Sequence, residues 1–194
     1  MPPARDLALV GLPGVGKSSL GKRLAAKLGV PFLDTDRTVI AETGVKNDSV
    51  AAIFEREGEE GFRLRERRLI AGLVAPAPAN GSIGAELGIS RVVALGGGAA
   101  ADPRNRWALR DRATLFWLDA PDAAIARRLR TARVVRPLMN HADPTATLER
   151  LRDERERFYR PALRLRSSRS PGSLADEAIA LLRTSSGGPR PLLD

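Results

Sequence analysis

Apolar positions along the chain fall into two recurring patterns. Residues 7–10, 91–95 and 114–118 are short, nearly continuous apolar runs, the length and composition of strands covered on both faces. Between them apolar residues recur at helical spacing. Leu20, Leu24 and Leu28 lie four apart after Lys17, and Gly29 and Pro31 then supply a stop, so a helix is predicted over 17–28. The same reading places further strands at 31–34 and 163–166. It places helices at 36–42, 49–57 (capped by Asp48 or Ser49), 59–73, 102–112 with Pro103 in the first turn, 121–130, 145–159 and 174–182. Strands alternating with helices imply a parallel sheet with helices on both sides, a three-layer α/β/α fold with five strands. Residues 75–90, rich in Ala, Pro and Gly, read as an insertion or loop with at most one helical turn. Residues 131–143 have few apolar anchors and read as a mobile segment, and 184–194 as a disordered tail. One domain over 1–183 accounts for the whole pattern.

Composition narrows the classes of function. Hydrophobic residues make up 43% of the 194, enough for a sizeable core. No apolar run approaches the roughly 20 residues of a membrane span. Residues 1–6 lead directly into the first strand and leave no room for a leader, so a cytoplasmic location is expected. With no cysteine, disulfides and thiolate metal sites are excluded. The net charge of +9 suits either nucleic acid or small anionic substrates. Aromatics at 4% supply no stacking platform for single strands, and no familiar nucleic-acid motif is present. Anionic small molecules are therefore the expected partners, with neither nucleic acid nor membrane involved.

The most specific chemical signal is Gly11-Leu12-Pro13-Gly14-Val15-Gly16-Lys17-Ser18, which fits G-x-x-x-x-G-K-[ST] between an apolar strand and a helix. Glycines at this spacing let successive backbone N–H groups turn inward around a phosphate, and the helix that follows adds its positive end. Lys17 can reach the β- and γ-phosphates and the Ser18 hydroxyl can ligate Mg²⁺. No N-K-x-D base-reading motif exists, since no lysine lies beyond Lys46. The third apolar strand ends in glycines, where a motor-type ATPase usually carries an acidic residue. A small-molecule kinase with a P-loop fold fits best.

Three further features stand on the acceptor side. Asp34 and Asp36 are expected at the C-terminal end of the second strand, the edge where parallel sheets bind ligands, with strand alternation aiming both the same way. Either carboxylate could instead cap the next helix. Arg63 lies in the charged stretch that follows Gly58-Glu59-Glu60-Gly61, where i,i+4 pairs on a solvated face are the plain alternative. Gly96-Gly97-Gly98 directly after a strand leaves backbone open to a ligand, beyond what a tight turn requires.

In this order, with Arg136-Pro137-Leu138 and with Arg155 four residues before Tyr159, these motifs resemble those of shikimate kinases over residues 7–182. The resemblance implies ATP- and Mg²⁺-dependent phosphorylation of the 3-hydroxyl of shikimate. It implies that Gly14, Val15, Gly16, Lys17, Ser18 and Ser19 wrap the ATP phosphates, with Ser18 on Mg²⁺ and Asp34 acting on it through water. Asp36 would bind the acceptor hydroxyl as candidate base. Arg63 and Arg155, with Gly97 and Gly98, would hold the shikimate carboxylate. Arg136 would meet the transferring phosphate from a lid at 131–143, and Arg169 with Pro171 would flank adenine. A monomer is the expected state. Arg157 and Leu95 stand where the family usually has proline and a small polar residue. The alternative within this fold is a gluconate-type or nucleoside monophosphate kinase.

Overall fold

A computed structural model describes residues 4–73, 81–131, 143–167 and 170–184. In chain order its elements are β1 (Arg5–Val10), α1 (Lys17–Leu28), β2 (Phe32–Asp34), α2 (Thr35–Glu42), α3 (Val50–Ala71), α4 (Ile83–Glu86), β3 (Ile89–Ala94), a 3₁₀ turn (Ala99–Ala101), α5 (Pro103–Leu109), β4 (Ala113–Asp119), α6 (Asp122–Thr131), α7 (Pro144–Tyr159), β5 (Leu163–Arg166) and α8 (Pro171–Thr184). The five strands form one parallel sheet in the order β2-β3-β1-β4-β5. The fold is the expected three-layer α/β/α sandwich. α1 packs with α8 and α4, while α3 packs with α5, and α6 with α7.

The apolar runs end up where their patterning requires. Leu7, Ala8 and Leu9 of β1, Val92 and Val93 of β3 and Phe116 of β4 are fully buried, because a central parallel strand is covered from both sides. Leu20, Leu24 and Leu28 form the buried stripe of α1, and Gly29 closes that helix at φ 68° with its N–H on the last carbonyls.

A second, smaller cluster of Val39, Ile53 and Phe62 lies between α2 and α3, apart from the main core. Phe62 is 2% exposed and its ring meets Phe54 at 5.2 Å. Burying a side chain of this kind contributes about 1.5–3 kcal/mol, and here it fixes the helix that carries Arg63. The predicted helices at 49–57 and 59–73 meet at Gly58, whose φ of 71° and ψ of 174° break α3 into two segments.

Some boundaries differ from expectation. The third strand begins at Ile89, inside the predicted insertion, because Ile89 pairs with Arg5 where β3 joins β1. The single helical turn expected in that stretch is α4, capped by the Ser82 hydroxyl. Residues 74–80, which take in the start of the expected insertion at 75, lie outside the described residues. So do 132–142 of the expected lid, including Arg136, together with Arg169 and the tail at 185–194. No described helix is long and apolar enough to cross a membrane.

Candidate active site

Register across the sheet sets up the site. Asp34 of β2 pairs with Ala94 of β3, and Leu9 of β1 pairs with the same Ala94. The three strands therefore end level with one another. The segments that leave them, 35–36, 95–98 and 11–18, emerge side by side on the C-terminal edge.

Residues 11–16 form the turn expected of a phosphate loop. Gly11, Gly14 and Gly16 have φ of 141°, 82° and 112°, values that side chains rarely tolerate. Lys17 Nζ donates to the carbonyls of Gly11 at 2.8 Å and Leu12 at 3.1 Å, so the ammonium lies across the mouth of its own loop. Ser18 Oγ donates to Asp34 Oδ2 at 2.6 Å. The other oxygen of Asp34 accepts from Arg37 N at 3.3 Å as the N-cap of α2. The two readings of Asp34 are thus compatible: one oxygen caps the helix while the other faces the phosphate loop.

Asp36 needs a correction. The strand ends at Asp34 and a helix begins at Thr35, so no strand alternation aligns the two carboxylates. Asp36 sits in the first turn of α2. It reaches the site because Thr35, fully buried, accepts a hydrogen bond from Gly96 N at 2.8 Å and pins α2 to the glycine segment.

Each of the three glycines answers a different close approach. A methyl group on Gly96 would collide with Glu66 Oε1 and lie 2.6 Å from Asp36 Oδ1. One on Gly97 would lie 2.9 Å from the Pro13 ring of the phosphate loop. One on Gly98 would lie 2.5 Å from Arg63 Nη2. Bare backbone at 96–98 thus lets the acceptor carboxylate, the phosphate loop and an arginine share one place.

Two arginines converge on the same segment. Arg155 Nη1 donates to the Gly97 carbonyl at 3.1 Å, and the Tyr159 hydroxyl, one helical turn on, donates to that oxygen at 2.6 Å. Arg63 donates to Glu66 Oε2 at 2.8 Å and to Glu59 at 3.1 Å. The anticipated surface pair Glu59–Arg63 therefore exists, but the Arg63 side chain is only 18% exposed and its second partner is buried.

Burial and neighbouring charge set the electrostatics of these groups. Burial, reinforced by the nearby Arg63 charge, depresses the pKa of Arg155. For Arg63 burial acts in the same direction, but Glu66 and Glu59 outweigh it and hold its pKa above the ordinary value. Burial raises the carboxyl of Glu66, and Asp36 and Asp102 add to this while Arg63 opposes it. Burial likewise pushes the Tyr159 phenol up to about 12, so it stays a hydrogen-bond donor. The two guanidinium groups are both partly desolvated, and the Arg63 charge acts against that of Arg155.

Thr35, between the two aspartates, and Glu66 join the site without having been singled out as site residues, and the i,i+3 spacing of Arg63 and Glu66 is the signal that could have pointed to Glu66. Tyr159, already marked by its i,i+4 spacing from Arg155, joins them through the Gly97 carbonyl. Among the described residues no cluster of three His, Asp or Glu side chains could hold a metal by itself.

Known proteins of one family match most of this chain. The shikimate kinase family model matches residues 13–183. The shikimate kinase of Symbiobacterium thermophilum is 40% identical over 178 residues, covering 91% of this chain and 94% of that protein. The shikimate kinase of Nitrobacter winogradskyi is 41% identical over 180 residues, covering 92% of this chain and 77% of that protein. Among solved structures, the shikimate kinase of Acinetobacter baumannii in complex with shikimate superimposes with a TM-score of 0.81 at 29% identity, covering 95% and 96% of the two chains.

Proposed function

Because the chain belongs to the shikimate kinase family, we propose that it transfers the γ-phosphoryl group of ATP to the 3-hydroxyl of shikimate, giving shikimate 3-phosphate and ADP. The observation that carries this reading is the segment 96–98. There the Asp36 carboxylate, the Pro13 edge of the phosphate loop and the guanidinium groups of Arg63 and Arg155 meet within contact distance of three consecutive residues.

Each residue has a role in this reading. The backbone N–H groups of the phosphate loop, from Gly14 through Ser19, hold the β- and γ-phosphates. Lys17 exchanges the carbonyls of Gly11 and Leu12 for phosphate oxygens when ATP arrives. Arg63 and Arg155 hold the substrate carboxylate, which orients the ring so that one hydroxyl meets Asp36. Asp36 takes the hydroxyl proton as the new O–P bond forms and the bond to the bridging oxygen breaks. The negative charge that develops calls for fixed positive charge, which Lys17 supplies and to which Arg136 is assigned by the family resemblance. Ser18 Oγ is a hard oxygen donor of the kind Mg²⁺ takes together with phosphate oxygens and water, so Ser18 would hold it directly, and Asp34, whose Oδ2 accepts from Ser18 Oγ at 2.6 Å, would act on it through water. When bound it would neutralise phosphate charge. Arg169 remains the proposed neighbour of adenine.

An acceptor screen tests the assignment. ADP release, followed with shikimate, gluconate, CMP and AMP, is expected only with shikimate; release with another acceptor and none with shikimate would overturn it.

The carboxylate site has its own test. Arg155→Ala and Arg63→Lys are expected to raise the shikimate KM while the ATP KM stays near that of the parent. Losing a charged hydrogen bond of this kind costs about 1.5–3 kcal/mol, or about 10- to 150-fold in kcat/KM. The Lys substitution is chosen because a buried Glu66 without its partner would itself destabilise the fold. In Arg155→Ala, Tyr159 still holds the Gly97 carbonyl. Steady-state kinetics showing parental shikimate KM in both variants would mean the carboxylate is bound elsewhere.

A further inference from the structure

Residues 152–157 of α7 read Arg-Asp-Glu-Arg-Glu-Arg, an unbroken run of charged side chains. Leu148 and Leu151 before the run and Tyr159 after it are buried, but the turn that carries Arg155 has no apolar side chain of its own to hold it on the core. The hydrophobic effect therefore does not set the depth and roll of α7 at Arg155. Arg155 does not set them either. It makes one hydrogen bond, to the Gly97 carbonyl, and its other donors have to stay available for a substrate carboxylate.

Polar anchors on either side of Arg155 do this instead. Four residues on, the Tyr159 hydroxyl bonds the Gly97 carbonyl. Three residues back, Arg152 lies on the same face of the helix and reaches the segment where β4 passes into α6. Its Nε donates to both oxygens of Asp122 at 3.1 Å, and its Nη1 to Asp119 Oδ1 at 2.9 Å. Its Nη2 donates to the Ala120 carbonyl at 2.7 Å and to Asp122 Oδ1 at 2.6 Å. Every nitrogen of the guanidinium is engaged, so the fork fixes direction as well as distance. Asp119 is itself held, since its other oxygen accepts from Arg164 of β5, whose guanidinium lies over the Trp117 ring at 4.5 Å. Burial would raise the Asp119 carboxyl, but Arg152 and Arg164 outweigh it and hold it below its ordinary value. The side chains of Arg152, Asp119 and Asp122 are 21%, 11% and 16% exposed, so water screens these pairs little. By contrast, Arg150–Glu154 and Arg160–Glu156 run along the exposed side of α7 and contribute little. Among the described residues, Arg152 is the member of the charged run whose ion pairs reach carboxylates outside α7.

We propose that Arg152 is a positioning residue for the carboxylate site: by locking α7 to the junction of β4 and α6 it holds the Arg155 guanidinium in place at Gly97. This rests on the reading of Arg155 as a holder of the substrate carboxylate. Arg152 acts through the helix and not by contact with shikimate.

Steady-state kinetics for shikimate and for ATP test this in Arg152→Met, Arg152→Lys and Asp122→Asn, and in Arg152→Met combined with Arg155→Ala. Arg152→Met keeps the aliphatic stem and removes the fork. It is expected to lower kcat/KM for shikimate by about three- to thirty-fold, within the coupling found between residues of one network. The loss is expected as a higher shikimate KM, with the ATP KM unchanged. Arg152→Lys keeps the charge without the fork and is expected to recover part of the loss. Asp122→Asn removes a partner from the other side and is expected to lose in the same direction. If Arg152→Met does not fold, the Lys variant and Asp122→Asn carry the test, the latter also combined with Arg155→Ala. In the Arg155→Ala background the second substitution is expected to add little, because the group it positions is gone. Parental kcat/KM for shikimate in the single variants overturns the proposal. So does a full further loss in the Arg155→Ala background, because Arg152 would then be serving something else. An ATP KM that rises as far as the shikimate KM also overturns it, since the change would then be one of the fold at large. Parental shikimate KM in Arg155→Ala alone overturns the carboxylate reading and the proposal with it, a result distinct from parental behaviour of the Arg152 and Asp122 variants.

Discussion

Asp36→Asn is expected to lower kcat by about 10²–10⁴-fold, the range for loss of a positioned general base, with a smaller rise in the shikimate KM. The substitution keeps the shape of the side chain and removes its capacity to take a proton. Its neighbourhood explains why little else should change. Asp36 sits in the first turn of α2, whose N-cap is Asp34, so the helix keeps its start. The link between Thr35 and Gly96 N does not involve the Asp36 side chain and continues to hold the turn against residues 96–98. The amide can still meet a substrate hydroxyl, which limits the loss of binding. Steady-state kinetics with folding checked by circular dichroism decides the matter. A variant that retains more than about a tenth of parental kcat would remove Asp36 from the chemistry, since base catalysis contributes at least about 10²-fold.

Lys17→Ala is expected to reduce kcat/KM for ATP by about 10²–10³-fold or more, the cost of deleting one fixed group that stabilises developing charge. Without nucleotide, Lys17 Nζ bonds the carbonyls of Gly11 and Leu12. The loop thus holds its cation near the place where phosphate charge is expected, and binding exchanges those carbonyls for phosphate oxygens. Removing the side chain loses those two charge-assisted bonds, whose net worth is about 1.5–3 kcal/mol each. The variant is therefore expected to melt measurably below the parent but to stay folded at assay temperature, while its turnover collapses. Near-normal turnover would mean that the ATP phosphates do not lie in this loop.

Much of this protein was legible in its residues taken in order. The strand–loop–helix around 11–18, the alternation of apolar runs with helical spacing, and the break at Gly58 are local matters. They depend on backbone freedom at glycine and on the period of burial, and both are written in nearby residues. The level ends of β1, β2 and β3 were implied by a parallel sheet, because every parallel strand finishes at the same edge.

The tertiary structure decided what those local signals left open. Strand order β2-β3-β1-β4-β5 depends on which faces pack together, and no neighbouring residue records it. Asp36 came to the site on a helix and not on a strand, because Thr35 found Gly96 across 61 positions of chain. Arg63 looked like a member of a solvated charge run, and its local pair with Glu59 is real. What sets it apart is the burial of Glu66 against Gly96, a contact between α3 and the segment after β3. Arg128, one of many arginines in this chain, donates to Val15 O and Ser167 O, partners far from it in sequence that no local pattern announces. Composition and period determined the class of fold, the phosphate loop and the residue types of the site. The partners of each charge were settled only by packing, because burial and hydrogen bonding between distant segments are properties of the folded chain.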